Sequence, residues 1–301
     1  MGETLEELCA AATHDVILAA PFIKASVLSR LAAKIAPGVN LSIITRWRVE
    51  EIAAGVSDLE CWLVAAARPN SAFWLRPDLH AKFYRFDERC LVGSANLTNQ
   101  ALGWTTSPNL ELWVSANRTD SDILDFEADL FRAASQVDAE LFEYMRLLVA
   151  KLPPAPEDSA VEALPIPLVD WLPSLRDPAD LYIGYTGKIE NLVQAAREAC
   201  MDDLRHLAPP PGLSEEEFTA AVGILLLQMP LVRKLDQFVA IPRRFGEVTE
   251  FLKRHVSGTT PDFDADISWQ TLMRWLRYFL PGRYELRVPS HSEIFGRVST
   301  V

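Results

Sequence analysis

Apolar and polar positions change period repeatedly along the first 120 residues, and each change marks an element. Asp15 to Ile23 (DVILAAPFI) is a continuous apolar run that predicts a buried strand ending at Pro21. Ala25 to Ile35 carries apolar residues at helical spacing and closes before Pro37-Gly38, which predicts an amphipathic helix. Val39 to Thr45 (VNLSIIT) predicts a second strand and Glu50 to Ala66 a second helix. Strands alternating with helices require crossover connections, hence a parallel or mixed sheet covered on both faces. Ser71 to Leu75, Leu79 to Phe86, Arg89 to Ser94 and Leu110 to Ser115 add further strands, with a short helix at Asn99 to Leu102.

Beyond Thr119 the period is helical. Ile123, Phe126, Leu130, Leu141, Met145 and Leu148 recur on one face, and Thr119, Asp120 and Asp122 can cap the start, so one long helix is predicted to Leu152. Residues 153–173 (PPAPEDSAVEALPIPLVDWLP) are rich in proline and acid and form the best boundary. The chain therefore divides into a domain at 1–152, a linker at 153–173 and a mainly helical domain at 174–301. In the last of these, Ser214 and Glu217 form a capping box opening a helix to Leu227. Further helices are expected at Lys188 to Leu207, Phe245 to His255 and Trp269 to Phe279, and a strand at Tyr284 to Val288.

The chemistry gathers between Leu79 and Thr98. His80 and Lys82 are two apart, as are Ser94 and Asn96, within two predicted strands joined at Asp87-Glu88-Arg89. Residues two apart on a strand share a face, so a hairpin can bring an imidazole, an ammonium, a hydroxyl and a carboxamide to one small volume. A neutral imidazole can attack phosphorus or pass a proton near neutral pH, and the other three supply donors to phosphoryl oxygens as they gain charge. No acidic cluster of the kind that holds magnesium sits nearby in the sequence, which points to phosphodiester chemistry without a metal or other cofactor. A half-buried hairpin that happens to carry polar residues is the competing reading.

His80, Lys82, Asp87, Gly93, Ser94 and Asn96 resemble the signature of the phospholipase D superfamily: His-x-Lys, four residues, Asp, about six residues, Gly-Ser-x-Asn. Five residues, not six, separate Asp87 from Gly93, which a hairpin shortened by one residue accounts for. The resemblance covers about residues 10–117 and implies a phospholipase D-like mixed sheet flanked by helices. It implies catalytic roles for His80, Lys82, Ser94 and Asn96, a lesser one for Asp87, and an orienting carboxylate at Glu111. It also implies two motifs facing each other, one His forming a phosphohistidine and the other protonating the leaving oxygen. This chain holds one motif, so the resemblance implies a homodimer with a shared site, and, by analogy with single-motif members, a bacterial nuclease acting on DNA or other nucleic acid, in defence among other roles. A phospholipase or small-molecule phosphodiesterase, and a non-catalytic interaction protein of the same fold, are the alternatives. Arg46 and Arg48, just after the second strand, are positioned to reach a phosphate, the competing reading being a solvated loop anchored by Trp47.

Composition adjusts this picture in three ways. At 301 residues and 49% hydrophobic, the chain can bury two cores. The net charge of −12 is unfavourable for a nucleic-acid enzyme, yet residues 231–301 hold eleven Lys/Arg against eight Asp/Glu, so the acidity lies elsewhere. Cys9, Cys61, Cys90 and Cys200 have no metal spacing and read as reduced thiols. With no secretory signal, no long apolar span and no amphipathic membrane helix, the expectation is a cytoplasmic protein without a membrane partner. His206, His255 and His291 lack ligand partners at metal spacing.

Overall fold

The computed structural model describes residues 1–153, 171–256, 263–289 and 293–298. They fall into two compact units, Met1–Arg146 and, separately, Leu147–Pro153 with the described residues from Trp171 onward. The division falls six residues before the predicted boundary; most of the predicted linker lies outside the described residues.

In the first unit the order is α1 (Gly2–Ala11), β1 (Asp15–Ala19), α2 (Ala25–Ala32), β2 (Asn40–Thr45), α3 (Val49–Ala53), α4 (Cys61–Ala66), β3 (Ser71–Leu75), β4 (Lys82–Phe86), β5 (Arg89–Gly93), β6 (Trp113–Asn117), α5 (Ser121–Arg132), β7 (Ser135–Gln136) and the start of α6 (Ala139–Val149), whose last three residues fall in the second unit. Among the described residues seven strands form one sheet, ordered β6-β5-β4-β1-β2-β3-β7. β1, β2 and β3 are parallel, and the remaining pairings are antiparallel. This is the mixed α/β sheet that the alternating pattern predicts. β1 and β2 are mostly apolar, Val16–Ala19 and Leu41, Ile43 and Ile44 being buried, because both faces of the sheet's centre are covered. On one face Ile17, Ala19, Ile44, Phe83 and Cys90 meet Ile123, Phe126 and Leu130 of α5, with Phe126 edge-on to Phe83. On the other, Val16, Leu18, Ile43, Tyr84 and Phe86 are buried as well.

Four predicted elements change. The helix expected at Glu50–Ala66 is two, broken where Gly55 takes φ +65 and Asp58 turns its carboxylate to the Ala25 N–H at 2.8 Å. The helix expected from Thr119 to Leu152 is interrupted by β7, whose Ser135 and Gln136 pair with Leu75 and Trp74, and α6 restarts with the Leu141 N–H on Asp138 at 2.7 Å. An apolar stripe of constant helical period continues across such a break because both helices cover buried surface, so periodicity alone does not reveal it. Asn99–Leu102 is a run of turns, and the strand expected at Leu110 begins at Trp113.

The second unit contains α7 (Asp180–Tyr185), α8 (Gln194–Leu207), α9 (Glu215–Gln228), α10 (Pro230–Phe238), β8 (Arg243–Arg244), α11 (Phe245–His255), α12 (Ala265–Phe279), β9 (Tyr284–Arg287) and β10 (Ile294–Arg297). The capping box at Ser214 and Glu217 is formed. The three strands make an antiparallel sheet ordered β8-β10-β9. Asp236 of α10 ties that sheet to the helices. It accepts from Arg283 Nε and Nη2 at 2.9 and 2.8 Å and from the Tyr284 hydroxyl at 2.7 Å. Burial works against its ionisation, and the Arg283 guanidinium outweighs it, holding the carboxyl below its usual range. Among the described residues no single helix is long and apolar enough to cross a membrane.

Candidate active site

The predicted hairpin is formed by β4 and β5, with Lys82 opposite Gly93 at one end and Phe86 opposite Arg89 at the other. Its strands are shorter than expected, so His80 lies just before β4, while Ser94 and Asn96 lie just after β5. The polar residues therefore gather at one end of the hairpin rather than along its face. Lys82, Ser94 and Asn96 line an open cleft of about 890 Å³ with Phe22, Lys24 and Asn109. Exposed His80 stands beside it: its carbonyl accepts from the Lys82 ammonium at 3.1 Å.

Each of these positions is fixed from behind. Gly93 is required because a Cβ there would lie 2.1 Å from the Leu112 carbonyl oxygen and 2.7 Å from Trp113 Cα, so only glycine lets β6 approach. That approach locks Ser94. Its N–H donates to Leu112 O at 2.9 Å, and its Oγ accepts from the Leu112 N–H at 3.1 Å while donating to the Glu111 carboxylate. Glu111 also accepts from Asn109 Nδ2 at 3.2 Å. Glu111 thus joins the site through the serine hydroxyl. Asn96 Oδ1 accepts from the Phe22 N–H at 3.3 Å, and both residues line the cleft. Leu97 bridges to Ile23, with the Lys24 N–H on Leu97 O at 3.0 Å. The motif is in this way stitched to the carboxyl end of β1, where open α/β sheets bind ligands.

The two arginines expected to meet phosphate are corrected by the structure. Arg46 is fully buried, its Nε and Nη2 paired with Glu51 at 3.1 and 2.5 Å and its Nη1 donating to Leu79 O at 3.0 Å. Arg48 is also buried, with Nε 3.6 Å from Glu50. Their loop folds inward around Trp47, since Glu51 offers Arg46 a buried carboxylate partner; neither the phosphate contact nor the solvated loop describes it. Arg46 instead holds the peptide that leads into His80. Burial pushes the Glu51 carboxyl up, against the pull of Arg46.

Asp87 lies at the far end of β4 from Lys82, at the hairpin turn, with φ +52. Its carboxylate accepts from the backbone N–H groups of Thr13, His14 and Asp15 at 2.8, 2.9 and 3.0 Å and from the Thr13 hydroxyl at 3.0 Å. Partial burial opposes ionisation, but the hydrogen bonds from Asp15, Thr13 and His14 outweigh it and hold the carboxyl at about 2. Because the folded value is depressed, this stabilisation is present above the unfolded value near 3.8 and is lost as pH falls toward 2. Asp87→Ala is expected to cost ~2 kcal/mol at pH 7 in urea unfolding, a gap that narrows as the pH falls from about 4 to 2. A gap independent of pH would mean that charge plays no part in the turn.

Lys24 is a cleft residue that no sequence signal marked; its ammonium donates to Gly55 O at 2.7 Å and to Asp58. His206 and His255 pair with backbone carbonyls of their own helices at 3.0 and 2.9 Å, and His291 lies outside the described residues. The four cysteines are buried and unpaired by disulfides.

No protein-family model and no curated protein matches the chain. Solved structures similar to it include NucT from Helicobacter pylori, at 15% identity over 44% of this chain and 87% of that one, with a TM-score of 0.34. TrmBL2, an archaeal chromatin protein described as showing a novel mode of DNA binding, is 13% identical over 45% of this chain and 50% of its own, with a TM-score of 0.30. Phosphatidylserine synthase from Haemophilus influenzae Rd KW20 is 16% identical over 63% and 57%, with a TM-score of 0.34. At these scores the likeness says nothing of chemistry, which is carried by the side chains of the cleft.

Proposed function

We propose that the chain is a phosphodiesterase of the phospholipase D type, working without a metal ion as an endonuclease on DNA, in a site completed by a second copy of itself. The observation that carries this reading is the gathering of Lys82, Ser94 and Asn96 around one cleft beside exposed His80, next to an uncovered apolar strip. His80 attacks phosphorus, forming an N–P bond as the P–O bond to the leaving strand breaks. The His80 of the second copy protonates the leaving oxygen. Water then attacks phosphorus, giving its proton to that second imidazole, and the N–P bond breaks to restore the first. The Lys82 ammonium and Asn96 amide donate to the phosphoryl oxygens as charge builds, a role that a metal ion fills in two-metal nucleases. Ser94 gives its hydroxyl proton to Glu111 and accepts from the Leu112 N–H, so it fixes the wall of the cleft and leaves donation to the phosphoryl oxygens to Lys82 and Asn96.

The second copy is supported by what α5 leaves uncovered. Val92 faces Val114 across β5 and β6, on the same sheet face as Phe83 and Cys90, yet both valines are exposed. Leu112 (69% exposed), Val114 (62%) and the fully exposed Leu110 extend the strip beside Glu111 and Asn109. β6 is also an edge strand of the sheet. An apolar strip on an open edge is a hazard for a lone chain and suits a two-fold contact that brings two copies of the cleft together.

Plasmid cleavage in excess chelator tests the chemistry. Nicking by the wild type is expected to persist at its full rate with EDTA present; strict dependence on added magnesium would contradict the reading. The same apolar strip would suit a lipid phosphodiester, so vesicles of anionic phospholipid form the second substrate arm, on which little turnover is expected.

A further inference from the structure

The second unit carries a surface of its own. α10, α11 and α12 are followed by the β9–β10 hairpin, and β8, immediately ahead of α11, joins that hairpin as its third strand. α11 packs against α12, and the Asp236 knot fixes the hairpin to α10. This is a consecutive helix pair braced by a small sheet, an arrangement in which the second helix can project one face outward.

α12 has such a face. Trp269, Leu272, Trp275, Leu276 and Phe279 are buried on one side. Asp266, Gln270, Arg274 and Arg277, spaced i, i+4, i+8 and i+11, form a single exposed stripe on the other. Arg274 and Arg277 have no ion-pair or hydrogen-bond partner among the described residues. The Asp264 carboxylate is spent capping the helix, on the N–H groups of Asp266 and Ile267 at 3.0 Å each. Exposed Arg244 and Arg254 add positive charge on β8 and α11, while Lys253 of α11 is paired with Glu250 at 2.8 Å. Residues 231–301 are net positive in a chain of net charge −12, so the cations are concentrated in this segment.

We propose that α12 docks in the major groove of double-stranded DNA, separately from the phosphodiester cleft. Gln270 and Arg274 are suited to base edges, where an amide can pair with adenine and a guanidinium with guanine. Arg277, at the helix end rich in cations, is suited to a phosphate. Asp266 disfavours phosphate at the other end, which orients the helix with its first turn toward the bases. The surface would give an enzyme with a sequence-indifferent cleft a means of choosing where it acts.

The test measures binding, not cleavage, so it stands whether or not the cleft proves to be a nuclease. Full-length His80→Ala protein would be titrated with a fluorescent duplex of about 30 base pairs, selected from a randomised pool, across a range of salt concentrations. Arg274→Ala with Arg277→Ala is expected to weaken binding by tenfold or more and to flatten the salt dependence by about one counterion for each phosphate no longer neutralised. Gln270→Ala is expected to lower the preference for the selected sequence. Arg205→Ala, on α8 and paired with Asp202 at 2.8 Å, serves as the control and should bind as before. All the substituted residues are exposed, so unchanged melting temperatures show that weaker binding does not come from unfolding. Equal affinity of the double variant and its parent, weakening that follows Arg205 as strongly, or no duplex binding at any salt would overturn the proposal and leave the stripe for a protein partner.

Discussion

His80→Ala is expected to abolish phosphodiester cleavage while leaving the melting temperature of the protein essentially where it was. The imidazole is exposed, so its removal opens no cavity and unfolding free energy should shift by no more than about 0.5 kcal/mol. On the proposed mechanism the same imidazole supplies both the nucleophile and, from the other copy, the leaving-group acid. Its loss therefore removes both proton and phosphoryl transfer, and no residue in the cleft replaces it. Lys82→Ala is expected to slow turnover by roughly 10²–10³-fold, the range seen when one donor to a developing oxyanion is removed. Asp87→Ala, which acts at the turn far from the cleft, should lower stability and reduce activity much less. If all three variants lost activity and stability together, the hairpin would be structural and the chemistry would lie elsewhere.

The hairpin was legible because its information is local. Alternation sets the two strands, and a turn of two residues, Asp87 and Glu88, sets their register, so Lys82 has to meet Gly93. The sheet's parallel centre was legible for a similar reason: DVILA and NLSIIT carry apolar residues on both faces, with polar residues few among them. What sequence could not supply was the direction of long polar side chains. Arg46 and Arg48 occupy a loop at the right end of the sheet for phosphate, and only the presence of Glu51 and the carbonyl of Leu79 turns the guanidinium of Arg46 inward. Lys24 joins the cleft because β1 happens to end beside Asn96, a tertiary fact with no local pattern. The β8-β10-β9 sheet was missed except for β9, since two-residue and four-residue strands carry too few positions to show alternation.

The second large effect concerns assembly. Leu112→Glu places a carboxylate in the exposed apolar strip beside the cleft. It should leave the monomer folded, because the side chain is already in water, yet prevent an association that needs to bury about 1,000 Å² or more to be stable. The expected outcome is a monomer by sedimentation at micromolar concentration, with cleavage reduced at least a hundredfold although His80, Lys82, Ser94 and Asn96 are all present. An active monomer would mean that the strip serves another partner, and that each chain holds a complete site.

Subunit mixing tests the shared site most directly. Wild-type and His80→Ala chains would be unfolded together, refolded in varying ratio at constant total concentration, and assayed on plasmid DNA. On the proposed mechanism, which uses two imidazoles, a heterodimer holds one and should be nearly inactive. Activity is then predicted to follow the square of the wild-type fraction, falling to about a quarter for an equal mixture. A linear fall, to about half in that mixture, would contradict the account, because each chain would then be carrying out the whole reaction with its own histidine.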